Sequence, residues 1–367
     1  MRPKEQADDW VWIIDHTVQV GVEKCLLILG VRLKNLPSDL TLKHEAVEPL
    51  ALYPVKRSNG EVVFEQLEET LEKTGVPRAI VADQGSDLKC GIEQFIQAHP
   101  TTSSIYDIKH KTATLLKQHL QHDETWKRFT QLASQTKSQV QQTALAFLAP
   151  PNQRTKARYM NLELLVRWSQ HALRLLDRIK TRTDTRARYE QIETKLGWLT
   201  PFREPIKEWE ALCQSAITAE SFVRTQGLWR GCERDLMQRF DLGLTSPKVI
   251  LFREQLVDFV KTESLKAKPN ERLLGSSEII ESVLGKTKRL EQDQSKSGFT
   301  GLILGAAAMV SDTTQEVVAK AMETVPTKKV IEWIKEKLGQ SVQAKRKIAL
   351  STARDAEQKL DQLLNSI

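Results

Sequence analysis

Over the first third of the chain the apolar positions change period, and the order of those changes predicts an architecture. Trp10–Val20 (WVWIIDHTVQV) is a β-rich run with one acid in its middle. Cys25–Leu33 (CLLILGVRL) is a second run, after a short turn around Gly21. Pro49–Val55 is a third, weakened by its prolines. Gly60–Thr74 then puts Val63, Leu67 and Leu71 on one helical face with acids opposite, and Gly75 and Pro77 end it. Arg78–Asp83 reads as a short buried strand, Ser86–His99 as an amphipathic helix and Thr102–Asp107 as a fifth strand. A further helix begins at Lys111–His119. The order is β-β-β-α-β-α-β-α. A doubly wound nucleotide fold would alternate from its first strand, so that class is set aside.

From Asp123 to about Lys266 strand signals are few, and Leu162, Leu165, Trp168 and Leu175 carry helical spacing. This predicts an all-helical domain inserted into the α/β one. A helix from Ser277 towards Gln292 follows, then a small apolar run, Leu302–Val310, expected as a buried helix. Thr327–Ile367 reads as two exposed helices. The predicted divisions are 1–120, the first part of the core; 121–265, the helical insertion; 266–320, the rest of the core; and 321–367, a helical tail.

Composition adds exclusions. At 367 residues, two or three structural units are expected. The net charge of +7 permits a polyanionic partner without requiring one. Cys25, Cys90, Cys213 and Cys232 form no CxxC pair, which argues against a disulfide scaffold or a cysteine zinc site and suggests a reducing compartment. The first nine residues are polar, unlike a signal peptide. Leu302–Val310 is far shorter than the roughly 20 residues that span a bilayer, so no membrane partner is expected.

Acids at three places stand out. Asp15 interrupts an apolar strand, where a charge is costly unless paired or bound to a cation. Asp83 ends the strand Ala79–Ala82, where it can reach the centre of a neighbouring strand. Alternatively it begins an Asp-Gln-Gly-Ser turn and caps the next helix. Carboxylates without Cys or paired His suit Mg²⁺ or Mn²⁺ better than zinc. In the late helix, Glu278 and Glu281 share one side. Glu278 falls in the first turn and suits a cap, while Glu281 suits a ligand.

The stretches WIIDHTVQVG, AIVADQGSD, YDIKH and SSEIIESVLGKTK resemble the DDE transposases of bacterial insertion sequences. That resemblance implies a ribonuclease H-like core, a mixed five-stranded sheet with flanking helices, interrupted by a large all-α insertion. Residue by residue it implies Asp15, Asp83 and Glu281 as catalytic metal ligands for two Mg²⁺ or Mn²⁺ ions, which activate a water or a 3′-hydroxyl for attack on a phosphodiester. Several such families carry Asp or Cys, two residues, then His after the fifth strand, and Asp107-Ile108-Lys109-His110 matches. His110 is then expected at the scissile phosphate, with Asp107 fixing a neighbouring group; the alternative for His110 is a surface histidine in a Lys-His-Lys run. The partners implied are DNA, both transposon ends and target, and a second copy as a homodimer on DNA, in the cytoplasm with the nucleoid. The family usually carries a helix-turn-helix ahead of its first Asp. Asp15 leaves no room for one, so the chain is expected to be either one half of a split transposase, with a separate upstream DNA-binding polypeptide, or a truncated copy. Two other functions share these features: a stand-alone ribonuclease H-like nuclease or resolvase, and a non-catalytic DNA-binding or oligomerisation protein derived from a transposase.

Candidate phosphate contacts are Lys286 and Lys288 beyond Glu281, and Arg174, Arg178 and Arg182 within the basic stretch Arg154–Arg188. The alternative for the lysines is an ordinary solvated surface. Trp168, Trp198, Trp209 and Trp229 are candidates to stack on a flipped base, against the alternative of helix-core tryptophans. His16, next to Asp15, points by alternation to the opposite sheet face and is expected to pack rather than ligate.

Overall fold

The computed structural model describes residues 4–20, 23–152, 159–181, 187–240, 243, 246–292, 304–310 and 314–338. The chain divides into two compact units, residues 1–106 with 276–367, and residues 107–275.

The first unit is a mixed α/β structure. Its strands are β1 (Trp10–Val20), β2 (Glu23–Arg32), β3 (Glu48–Val55), β4 (Ala79–Ala82) and β5 (Ser103–Tyr106). They lie in the order β3-β2-β1-β4-β5. The β1–β2 and β2–β3 pairs are antiparallel. The β1–β4 and β4–β5 pairs are parallel, which requires crossovers, supplied by α1 (Gly60–Thr74) and α2 (Ser86–Ala98). Asn59 starts α1 by accepting the Val62 N–H at 2.9 Å, and Gly75, at φ 82°, ends it in a conformation that favours glycine.

Even-numbered β1 residues Trp10, Trp12 and Ile14 pack with Val63 and Leu67 of α1 and Leu88, Ile92 and Phe95 of α2. Val11 and Ile13, on the other face, are equally buried. Burial on both faces explains why β1 reads as an unbroken apolar run. Helices α1 and α2 approach closely at Gly91, where a Cβ would lie 2.6 Å from Val63.

The second unit is helical. It comprises α3 (Ile108–Leu120), α4 (Glu124–Val140), α5 (Leu162–Lys180), α6 (Ala187–Leu196), α7 (Arg203–Gln226), α8 (Cys232–Arg239) and α9 (Pro247–Ser264). Trp126, Phe129, Trp198, Phe202 and Trp209 form a continuous aromatic cluster at its centre. The one β pairing described there is an isolated bridge, Leu228–Leu273. The Ile108 N–H donates to the Gly275 carbonyl at 3.0 Å, so the chain enters and leaves this unit at adjacent points. Its limits are wider than the sequence boundaries of 121 and 265. The reasons are α3, which packs on α7 and α9, and at the other end the Leu228–Leu273 bridge.

After the insertion, α10 (Glu278–Gln292) returns to the first unit. The small apolar run contributes a short helix, Gly305–Met309, with Ala306 and Val310 buried; Leu302 and Ile303 lie outside the described residues. Two exposed helices follow, Gln315–Thr324 and Thr327–Lys337. The first of them starts ahead of Thr327, where the exposed pair was expected to begin, and residues 339–367 lie outside the described ones. No described helix is long and apolar enough to cross a membrane.

Candidate active site

The site is built from the β1–β4 pairing. Val11, Trp12 and Ile13 stand opposite Ala79, Ile80 and Val81. Continuing that parallel register by two residues brings Asp15 level with Asp83, just past the end of β4. Strand neighbours lie about 4.8 Å apart, and period-two alternation puts Asp15 on the face of Val11 and Ile13, while Asp83, beyond its strand, lies close enough to His16 to act on its charge. Both are half-buried. One oxygen of Asp83 accepts the Gly85 N–H at 3.0 Å, so the turn expected from Asp-Gln-Gly-Ser forms. The N-cap of α2 is Gly85, not Asp83.

Helix α10 packs on β1. None of its described residues belongs to the cluster under α1 and α2, so it covers the opposite face, that of Asp15. Ile279, Ile280, Val283, Leu284 and Thr287 form its buried stripe. At 100° per residue, Glu281 and Ser282 flank this stripe on opposite sides. Ser282 Oγ lies 3.1 Å from His44 Nε2, and Lys286 Nζ lies 3.1 Å from His44 Nδ1. Glu281 is half-buried on the flank away from His44, whereas Glu278 is exposed. Lys286 thus faces the loop between β2 and β3, off the Glu281 side. Burial, and then the Lys286 charge, lower the His44 pKa. The side chain of Lys288 lies outside the described residues.

Oxygen-only donors at neighbouring strand positions fit a hard divalent cation. The third carboxylate is not gathered with them: among the described residues no three His, Cys, Asp or Glu side chains come together around a point that a metal ion can occupy.

Directly after β5, Asp107 is wholly buried and caps α3. Its Oδ1 accepts the His110 backbone N–H at 2.8 Å and lies 2.9 Å from His110 Nδ1. A carboxylate only accepts, so His110 Nδ1 carries the proton and the ring is held with Nε2 turned away from Asp107. His110 remains a quarter exposed. Its local geometry is that of an oriented imidazole, unlike a loose surface histidine.

In the insertion, Arg174 and Arg178 are exposed on one face of α5 and have no ion-pair partner among the described residues. Arg167 pairs with Glu163, and Lys180 with Glu193 at 3.9 Å. Arg182 lies outside the described residues, as do Arg154, Lys156 and Arg158. The tryptophans serve packing. Trp209 is buried, Trp198 donates to Thr136 at 2.8 Å, and Trp168 donates to the Leu148 carbonyl at 3.1 Å. Trp229 is half-buried against Phe222, with Arg272 over its ring at 4.5 Å.

One cluster beside the site escaped sequence reasoning. His16 Nε2 meets Ser58 Oγ at 3.2 Å, and its Nδ1 lies 3.6 Å from Asp87, which also pairs with Lys24 at 3.4 Å. Burial lowers the His16 pKa, and Asp87 only partly offsets this. For Asp87, burial acts upward, but Ser58, His16 and Lys24 outweigh it and hold the carboxyl low. The available signal was Asp87 in the first turn of α2, on the sheet face that alternation assigns to His16.

No protein-family model and no curated protein matches the chain. Among solved structures it is similar to the Drosophila P element transposase strand transfer complex, at 13% identity and a TM-score of 0.39, over 83% of this chain and 77% of that one. A likeness that faint does not establish a shared fold.

Proposed function

We propose that this chain is the catalytic region of a DDE transposase with a ribonuclease H-like core, cutting and joining DNA at transposon ends. The observation that carries the reading is the β1–β4 register, which brings Asp15 level with Asp83 beneath the helix that bears Glu281. The mixed five-stranded sheet, its interruption after β5 and the late return of α10 support the reading. Asp15, Asp83 and Glu281 would hold Mg²⁺ or Mn²⁺, which when bound supplies an activated nucleophile and a stabilised leaving oxygen. Asp107 orients the His110 imidazole, which would contact the phosphate. Arg174 and Arg178, with Arg182, Lys286 and Lys288, would neutralise the DNA backbone. A second reading, a non-catalytic DNA-binding protein on this scaffold, is favoured by one fact: the third carboxylate is not gathered with the first two.

The test is nicking and joining of supercoiled DNA with Mg²⁺ or Mn²⁺, by the chain and its Asp15→Asn, Asp83→Asn and Glu281→Gln variants. Metal-dependent nicking lost in all three, with strand joining, is the expected result. Nicking without joining indicates a stand-alone nuclease. DNA binding without nicking indicates the non-catalytic protein.

A further inference from the structure

Strand β3 is an edge of the sheet, with no strand neighbour on its outer side among the described residues. Along that edge runs a half-open groove of about 1000 Å³. Its floor is β3 itself, chiefly Leu50, Leu52, Tyr53 and Pro54. One wall is α1; the other is formed by Ala306 of the short helix Gly305–Met309 and Trp333 of the helix Thr327–Lys337, both in the same unit. Leu52 and Trp333 pack around Cys25 and Leu338, which holds that second wall to the sheet. The result is a slot as long as β3, eight residues or about 26 Å, and open along a β edge.

The slot also has a charge preference. Glu65, Glu69 and Glu72 stand on successive turns of the α1 wall, all exposed. The lysines at the slot are already paired: Lys4 with Glu48 at 2.6 Å, Lys73 with Glu69 at 3.2 Å, and Lys337 with Glu336 at 2.9 Å. Glu65 and Glu72 have no ion-pair partner among the described residues. Acceptors are therefore left over on this wall and donors are not.

The floor sets the register. A proline is tolerated in a strand where its nitrogen faces away from the neighbouring strand. Pro54 therefore marks the outward side, and Leu52, two residues earlier, presents its N–H and C=O outward. The prolines at either end restrict backbone pairing to this short centre, as expected of an edge protected against indiscriminate pairing. A partner needs a second source of affinity, and the acid row provides one.

We propose that this groove docks an extended segment of a partner protein that carries lysine or arginine at alternate positions and adds as a strand to the β3 edge. Alternate side chains of such a strand point to one wall, where the cations meet Glu65 and Glu72.

The probe is a fluorescein-labelled peptide, Lys-Thr-Lys-Val-Lys-Thr-Lys, titrated with the intact chain and read by anisotropy. Three comparisons accompany it: the same peptide with glutamate for lysine, the peptide N-methylated at its central valine, and the Glu65→Lys/Glu72→Lys chain. Saturable binding of the lysine peptide is expected. It should weaken about tenfold in the double reversal, consistent with exposed ion pairs each contributing little and reversal counting twice. N-methylation, which removes one backbone donor, should weaken it by a similar factor, and the glutamate peptide should not bind. The milder Glu65→Gln/Glu72→Gln chain, with an unchanged melting temperature, guards against misfolding and should show a several-fold loss. No binding, equal affinity in both charge variants, or indifference to N-methylation would each overturn the proposal.

Discussion

Replacing Asp107 by alanine tests how the chain positions His110. The carboxylate is wholly buried, caps α3, and holds the His110 backbone N–H at 2.8 Å and ring Nδ1 at 2.9 Å. Loss of the cap costs about 1 kcal/mol. A buried hydrogen bond to a charged acceptor contributes about 1.5–3 kcal/mol more. The expected destabilisation is therefore about 2.5–4 kcal/mol. For a unit of this size, residues 107–275, that corresponds to a fall in melting temperature of roughly 5–15 °C. Asparagine caps helices as well as aspartate and keeps an acceptor oxygen, so Asp107→Asn should lose only about 1 kcal/mol. Calorimetry on both variants gives the stabilities, and metal-dependent nicking gives the function. If His110 acts at the phosphate, Asp107→Ala should lose at least about tenfold in rate, because the imidazole is no longer oriented. Asp107→Asn should retain most of it. An alanine variant that melts like the parent would refute the anchoring argument. A folded asparagine variant as inactive as the alanine one would show that the negative charge, not the tether, is what the reaction needs.

Asp123 offers a pH-dependent test. Burial acts to raise its pKa, but Lys248 at 2.6 Å and the N–H groups of Thr125 and Trp126 outweigh this and hold it low. A depressed folded pKa confers stability above the unfolded carboxylate range that is lost as pH falls through the folded value. Asp123→Ala should cost about 2 kcal/mol at pH 7, and the gap in denaturant midpoints should close below about pH 4. Gly91→Ala places a methyl 2.6 Å from Val63 and should destabilise the first unit by about 1–3 kcal/mol in urea unfolding, whereas at Gly197, with open space around it, alanine should be nearly neutral. Charge reversal at Arg174, Arg178 and Arg182 together should weaken binding to all DNA sequences and flatten the salt dependence by about one unit per lost phosphate contact. Unchanged binding by a folded variant would remove the insertion from the interface.

Much of the first unit was legible before any coordinates. β1 and α1 have the limits read from the sequence, because a β-rich apolar run, a 3.6-residue pattern and a terminating Gly75 are local signals. His16 packing on the face opposite Asp15 follows from alternation alone. The strand order and the β1–β4 register were not locally encoded. They join residues nearly seventy positions apart, and only that pairing brings Asp15 level with Asp83. The start of α3 at Ile108 shows the same division. Asp107 was legible as part of a motif, but its burial, and with it the cap and the tether on His110, comes from tertiary packing. Helical spacing fixed the two flanks of α10. That Glu281 lies on one and Ser282 meets His44 on the other was decided by which stripe the sheet buries. The tryptophans of the insertion were ambiguous as sequence because an indole serves a core and a stacking platform equally well; the aromatic cluster around Phe129 and Trp209 assigns most of them to the core. Local chemistry thus determined which residues could act. Long-range pairing and burial decided which of them meet, since those energies depend on partners that no sequence window contains.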